Sequence, residues 1–138
     1  AFADDVSVLL GREHFYEFSL PYTRRALKAL GRGLVHFCGD AGHIIEGYLA
    51  APEVKAINLG QPGLYDPAEV MPRMIAAKTI YSGSWPVYPE ESLEDYIQRI
   101  LGLLPERLEG LVLGVRAWEF DVPPEDIVRR WYAHQIAT

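Results

Sequence analysis

The strongest constraint on this chain is a short apolar run that occurs four times and is closed each time by glycine. The runs are Leu34-Val35-His36-Phe37-Cys38, Ala56-Ile57-Asn58-Leu59, Thr79-Ile80-Tyr81 and Leu111-Val112-Leu113, and Gly39, Gly60, Gly83 and Gly114 follow them within one or two residues. Three of the runs are unbroken rather than alternating, as expected of strands covered on both faces. The segments between them have helical spacing. One covers 44–51 and stops at Pro52, a second covers 67–77, and a third follows Ser92, with Asp95 placed as its capping partner. A fourth starts at Pro123-Pro124 and carries Ile127, Val128, Trp131 and Tyr132 on one face. A longer helix over 13–30 precedes the first run; Pro21 must kink or split it, and Gly31-Arg32-Gly33 forms the turn that ends it.

This order predicts an α/β protein with a parallel sheet and right-handed crossovers: four parallel β-α units preceded by a helix. The repetition fits half of a (β/α)8 barrel as well as an open sheet. A half-barrel standing alone exposes two strand edges and an apolar inner face, both aggregation hazards. A missing half or a second copy is therefore expected to cover the opening. The first residue is Ala1 rather than Met, and the expectation is a fragment of a longer chain.

Composition narrows the function classes. Hydrophobic residues make up 49% of the 138, which excludes general disorder. No apolar run approaches the roughly 20 residues of a membrane span, and no basic region followed by an apolar segment marks a secretory signal. One Cys cannot form an internal disulfide and fits a reducing, cytoplasmic setting. The net charge of −6, with no basic cluster, argues against nucleic acid as a partner.

His36 and Cys38 are two residues apart at the end of the first run, so in a strand both side chains point to one face. Nitrogen and sulfur converging at that spacing suit zinc or another borderline-soft metal. The competing reading is a buried Cys beside a hydrogen-bonded His.

The chain resembles the C-terminal half of the uroporphyrinogen decarboxylase superfamily. The resemblance rests on Ala3-Asp4-Asp5, on Phe15, Phe18 and Pro21-Tyr22 in the following helix, on Asn58-Leu59-Gly60, on Tyr81-Ser82-Gly83 and on Pro123-Pro124-Glu125-Asp126. It implies a TIM-type barrel of which residues 1–138 form the C-terminal half. The His-x-Cys-Gly motif is similar to the zinc-binding branch, whose members are corrinoid-linked methyltransferases. There the zinc activates a thiol or other methyl acceptor, and a corrinoid, or the protein carrying it, is the methyl partner. The resemblance makes His36 and Cys38 metal ligands. The family's third ligand is a Cys in the last strand-end loop, where this chain reads Gly114-Val115-Arg116-Ala117-Trp118-Glu119. A third donor must then come from Glu119, Asp121, Asp5 or the missing half, and the isolated chain is expected to bind metal at less than one equivalent.

Other residues divide between chemistry and packing. Asp4 and Asp5 stand at a strand end, and because neighbours in a strand point to opposite faces, one of them enters the site; Asp5 is the candidate general acid or base. Asp40 either orients a ligand or caps the helix after it. Asn58, Tyr81 and Arg116 are the candidate substrate contacts at the strand ends, although Arg116 can instead pair with Glu119. Tyr81, Trp85 and Trp118 either stack on a flat ring or pack in the core. His14, His43 and His134 are expected on helix surfaces or in packing. The leading expectation is a metal-dependent methyltransferase acting on a small molecule. A cofactor-free decarboxylase of a carboxylated tetrapyrrole, a lyase, is the alternative, and a non-catalytic half-barrel used for binding or assembly is the third reading.

Overall fold

The computed structural model describes residues 1–104 and 111–136. Five parallel strands form one sheet in the order in which they occur: β1 (Phe2–Ala3), β2 (Gly33–Phe37), β3 (Val54–Leu59), β4 (Ile80–Gly83) and β5 (Leu111–Leu113). Between β1 and β2 run α1 (Arg12–His14), a π-helical turn (Phe15–Ser19) and α2 (Leu20–Ala29). Then come α3 (Ile45–Leu49), α4 (Pro67–Ala76), α5 (Leu93–Leu101) and, after β5, α6 (Pro124–Ile136). The sheet therefore has one strand more than four, because the leading helix is itself preceded by β1. Among the described residues no helix is long and apolar enough to cross a membrane.

Local chemistry accounts for the helix boundaries. Pro21 has no N–H, and its ring crowds the carbonyl four residues back. The chain absorbs this in the π turn just ahead of it, where Leu20 N bonds Phe15 O, five residues back. The helix ends as its glycines suggest: Gly31 and Arg32 take φ +79° and +93°, and Arg32 N returns to Leu27 O at 2.8 Å. Asp66 caps α4 by accepting from Ala68 N at 2.8 Å. At α5, Asp95 N donates to Ser92 Oγ at 3.2 Å while that hydroxyl bonds the Asp95 carboxylate at 2.6 Å.

Strand register sorts the side chains into two layers. Val35 pairs with Ile57 and Ile57 with Tyr81, while Phe37 pairs with Leu59. These residues are buried together with Leu27, Ile45, Tyr48, Met71, Met74 and Tyr96 from the helices, so one core lies between the sheet and the helix layer. Each such aliphatic residue removed from water contributes about 1.5–3 kcal/mol. The residues between them face the other way: Leu34, Ala56 and Ile80 in one row, Ala3, His36 and Asn58 in the next. That face is less covered, and Val112 on β5 is 59% exposed.

Candidate functional site

The site lies at the C-terminal ends of β1, β2 and β3, on the face turned away from the helices. His36 is the last residue of β2 that points to this face. Its Nδ1 is 2.6 Å from Asn58 Oδ1, on the paired position of β3. Asn58 Nδ2 in turn donates to the Ser82 carbonyl on β4. That bond sets the amide so that its oxygen faces the imidazole. A carbonyl oxygen only accepts, so His36 Nδ1 carries a proton, and in the neutral ring the lone pair is on Nε2.

The lone pair is aimed at sulfur. Cys38 Sγ lies 3.5 Å from His36 Nε2, and Cys38 is exposed. Asp5, just beyond β1, brings Oδ1 within 3.8 Å of the same nitrogen and accepts from Cys38 N at 2.7 Å. Among the described residues, Asp5, His36 and Cys38 form the one group of three His, Cys or acidic side chains whose ligand atoms all lie within 4.8 Å of one another. Zinc bound to sulfur at about 2.3 Å and to nitrogen at about 2.0–2.1 Å in a tetrahedron separates the two donors by about 3.6 Å. The observed Sγ to Nε2 spacing is close to that edge, and it is equally the length of a hydrogen bond between the thiol and the ring nitrogen.

Neighbouring groups hold the trio in place. Tyr65 OH accepts from Ala41 N and donates to Gly39 O, both at 2.7 Å, and so braces the loop that follows Cys38. Burial pushes the Tyr65 hydroxyl's pKa upward, which keeps it a donor. Gly39 has φ +92°, a conformation that favours glycine. Gly60 leaves the space that the thiol needs: a Cβ there would stand 2.5 Å from Cys38 Sγ and 3.0 Å from His36 Cε1.

Asp4 turns to the opposite side of the sheet and is 8% exposed. Its carboxylate accepts from Ser7 Oγ at 2.5 Å, Tyr48 OH at 2.7 Å, Thr23 Oγ1 at 2.9 Å and Ser19 Oγ at 3.4 Å. Hydroxyls thus satisfy this buried acid, with no cation paired to it among the described residues, and burial followed by the Asp4 contact pushes the Tyr48 hydroxyl pKa well up.

The other sequence candidates fall elsewhere. Tyr81 is fully buried on the helix side, stacked on Trp85 with ring centroids 4.6 Å apart, and its hydroxyl donates to Ser84 O at 2.7 Å. Its ring packs the core and is not open to a ligand, because register pairs it with Ile57 and leaves Ser82 on the open face. Asp40 accepts from Gly42 N at 2.9 Å and so caps its own turn. Arg116 pairs with Glu119 at 3.3 Å. His43 bonds Leu10 O at 2.8 Å, His14 stacks on Phe18, and His134 pairs with Glu94 at 2.5 Å. Trp118 is exposed and Trp85 is buried. An apolar cavity of about 350 Å³ lies between β5 and α6, lined by residues that include Leu113, Ile127 and Trp131; none of the three donors reaches it.

Sequence reasoning missed two features of the site. Asn58 touches His36 rather than standing free for substrate, and Gly60 makes room for sulfur. The signal for Gly60 was its position directly after a strand. Comparison with family models, with curated proteins and with solved structures finds no match, so the site rests on its own geometry.

Proposed function

We propose that this chain is part of a barrel enzyme of the uroporphyrinogen decarboxylase type, in which His36 and Cys38 hold zinc for methyl transfer to a small-molecule acceptor. One observation carries the reading: an imidazole whose Nδ1–H is engaged by Asn58 directs its free nitrogen at the only thiol of the chain, at a spacing that suits one metal ion. Bound zinc would act as a Lewis acid that lowers the pKa of a coordinated acceptor such as a thiol. The remaining work falls to the protein. Asn58 fixes the tautomer and aim of His36, and Tyr65 and Gly39 hold the Cys38 loop. The Asp5 carboxylate stands beside His36, half exposed, in the same group as the two donors.

The sequential parallel sheet suits a barrel that a further half or a second copy closes, and a corrinoid serves as methyl donor in this reading. The test is metal uptake followed by transfer. Protein purified without chelator and loaded with zinc should retain it in a Cys38-dependent way, and His14→Ala should leave that uptake intact. Methylcobalamin and a small thiol should then give Cys38-dependent thioether, read by mass spectrometry on protein carrying both barrel halves. Absence of Cys38-dependent zinc uptake overturns the reading.

A further inference from the structure

We infer that Asp5 is the third metal ligand, so that the centre is complete within the β1–β2 seam and needs no donor from the last strand-end loop. The inference rests on the metal reading above and sharpens it. The sequence left four sources open for the third donor: Glu119, Asp121, Asp5 or residues beyond this chain. Geometry separates the three that this chain carries. Among the described residues Asp5 lies in the one cluster with His36 and Cys38, and Asp121 is outside it. Glu119 is outside that cluster and is held by Arg116.

The carboxylate is also presented in the right way. Asp5 Oδ1 is engaged by Cys38 N at 2.7 Å, which orients the group and leaves Oδ2 as the second oxygen of the pair. Ligating carboxylates are ordinarily held by such a hydrogen bond on one oxygen. Asp4 secures the backbone on the other side of the sheet. Its N–H bonds His36 O at 2.8 Å, and its side chain is tied to Thr23 on α2 and Tyr48 on α3. Neighbouring carboxylates thus have opposite duties, one fastening the strand end and one meeting the metal. The donor set is then one thiolate, one imidazole and one carboxylate, with a fourth position left for water or acceptor, as catalytic zinc requires.

Cobalt(II) titration of the chelator-treated 138-residue chain tests this without any activity assay. The expected result is one equivalent bound, with a sulfur-to-cobalt charge-transfer band that Cys38→Ser removes. Asp5→Asn keeps an oxygen to accept from Cys38 N but ligates poorly, and should weaken binding at least 100-fold at unchanged thermal stability. Asp5→Glu should recover part of the loss. Glu119→Gln and Asp121→Asn should bind as the parent does. Cys38-dependent binding that Asp5→Asn leaves intact overturns this inference alone. Binding lost in Glu119→Gln or Asp121→Asn also overturns it. No Cys38-dependent binding in the parent removes the metal reading itself, and this inference with it.

Discussion

Asp4 and Asp5 are adjacent in the chain and serve opposite faces of the same sheet. Asp4 is buried among the hydroxyls of Ser7, Ser19, Thr23 and Tyr48, whereas Asp5 is half exposed and bonded to Cys38 N. The chain leaves β1 after Ala3 and turns into a 3-10 helix at Asp5, and the two side chains part at that turn.

Replacing Asp4 with Ala should destabilise the fold. The change strands buried hydroxyls of Thr23, Tyr48 and Ser7, and each buried group without a partner costs about 1–3 kcal/mol. We expect a loss of about 2–4 kcal/mol, measured by urea denaturation. Thr23→Val with Asp4→Asn should recover part of it, because both partners then change together.

Asn58→Leu should leave the chain folded and weaken zinc binding by about 10–100-fold, the usual effect of losing the group that orients a ligating His. Competition against a chromophoric chelator checks it. Asn58→Asp preserves an acceptor for His36 Nδ1 and should bind more tightly than the Leu variant.

Gly60→Ala places a carbon 2.5 Å from Cys38 Sγ. The thiol must rotate away, since Phe37 O at 3.2 Å blocks a backbone retreat. Cys38-dependent cobalt absorption should disappear, while far-ultraviolet circular dichroism stays as in the parent. Gly63→Ala, where an added carbon finds its nearest neighbour at 3.6 Å, is the matched control.

The pH profile should carry a signature of the Glu91–Arg99 pair. Arg99 bonds Glu91 at 2.6 and 2.8 Å and lies over the Tyr88 ring. The hydrogen bond from Arg99 holds the Glu91 carboxyl below its ordinary range. A folded-state pKa below the unfolded value stabilises the protein above the unfolded value, near 4.3. That contribution is lost as pH falls through the lower folded value. Urea midpoints followed from pH 6 downward should therefore drop below about pH 4.3, and Glu91→Gln should flatten part of the drop.

The sequence carried the sheet well and its phase poorly. Apolar runs closed by glycine marked β2 to β5, and Pro21 marked the break in the first helix. Strand β1, at two residues, is too short to give a run. Thr79-Ile80-Tyr81 is apolar or β-branched throughout, so nothing in it says which residue faces the helices; only pairing with β3 puts Tyr81 inside. The meeting of His36 and Cys38 followed from spacing alone. The arrival of Asp5, 33 residues before Cys38, depended on β1 pairing with β2, and the hold of Asn58 on His36 depended on register across an irregularity at Gly33 and Leu34.

Two paired positions are little to keep an edge strand from fraying, and β1 has only Phe2 and Ala3 in register with β2. What fastens it is a side chain: Asp4 ties the strand end to two helices through Thr23 and Tyr48. The outer edge of the sheet is therefore peeled or kept by hydroxyl chemistry rather than by its own ladder. The same tyrosine whose hydroxyl holds the first strand packs its ring on Phe15 and Phe37, so the edge of the sheet and the middle of the core share one side chain.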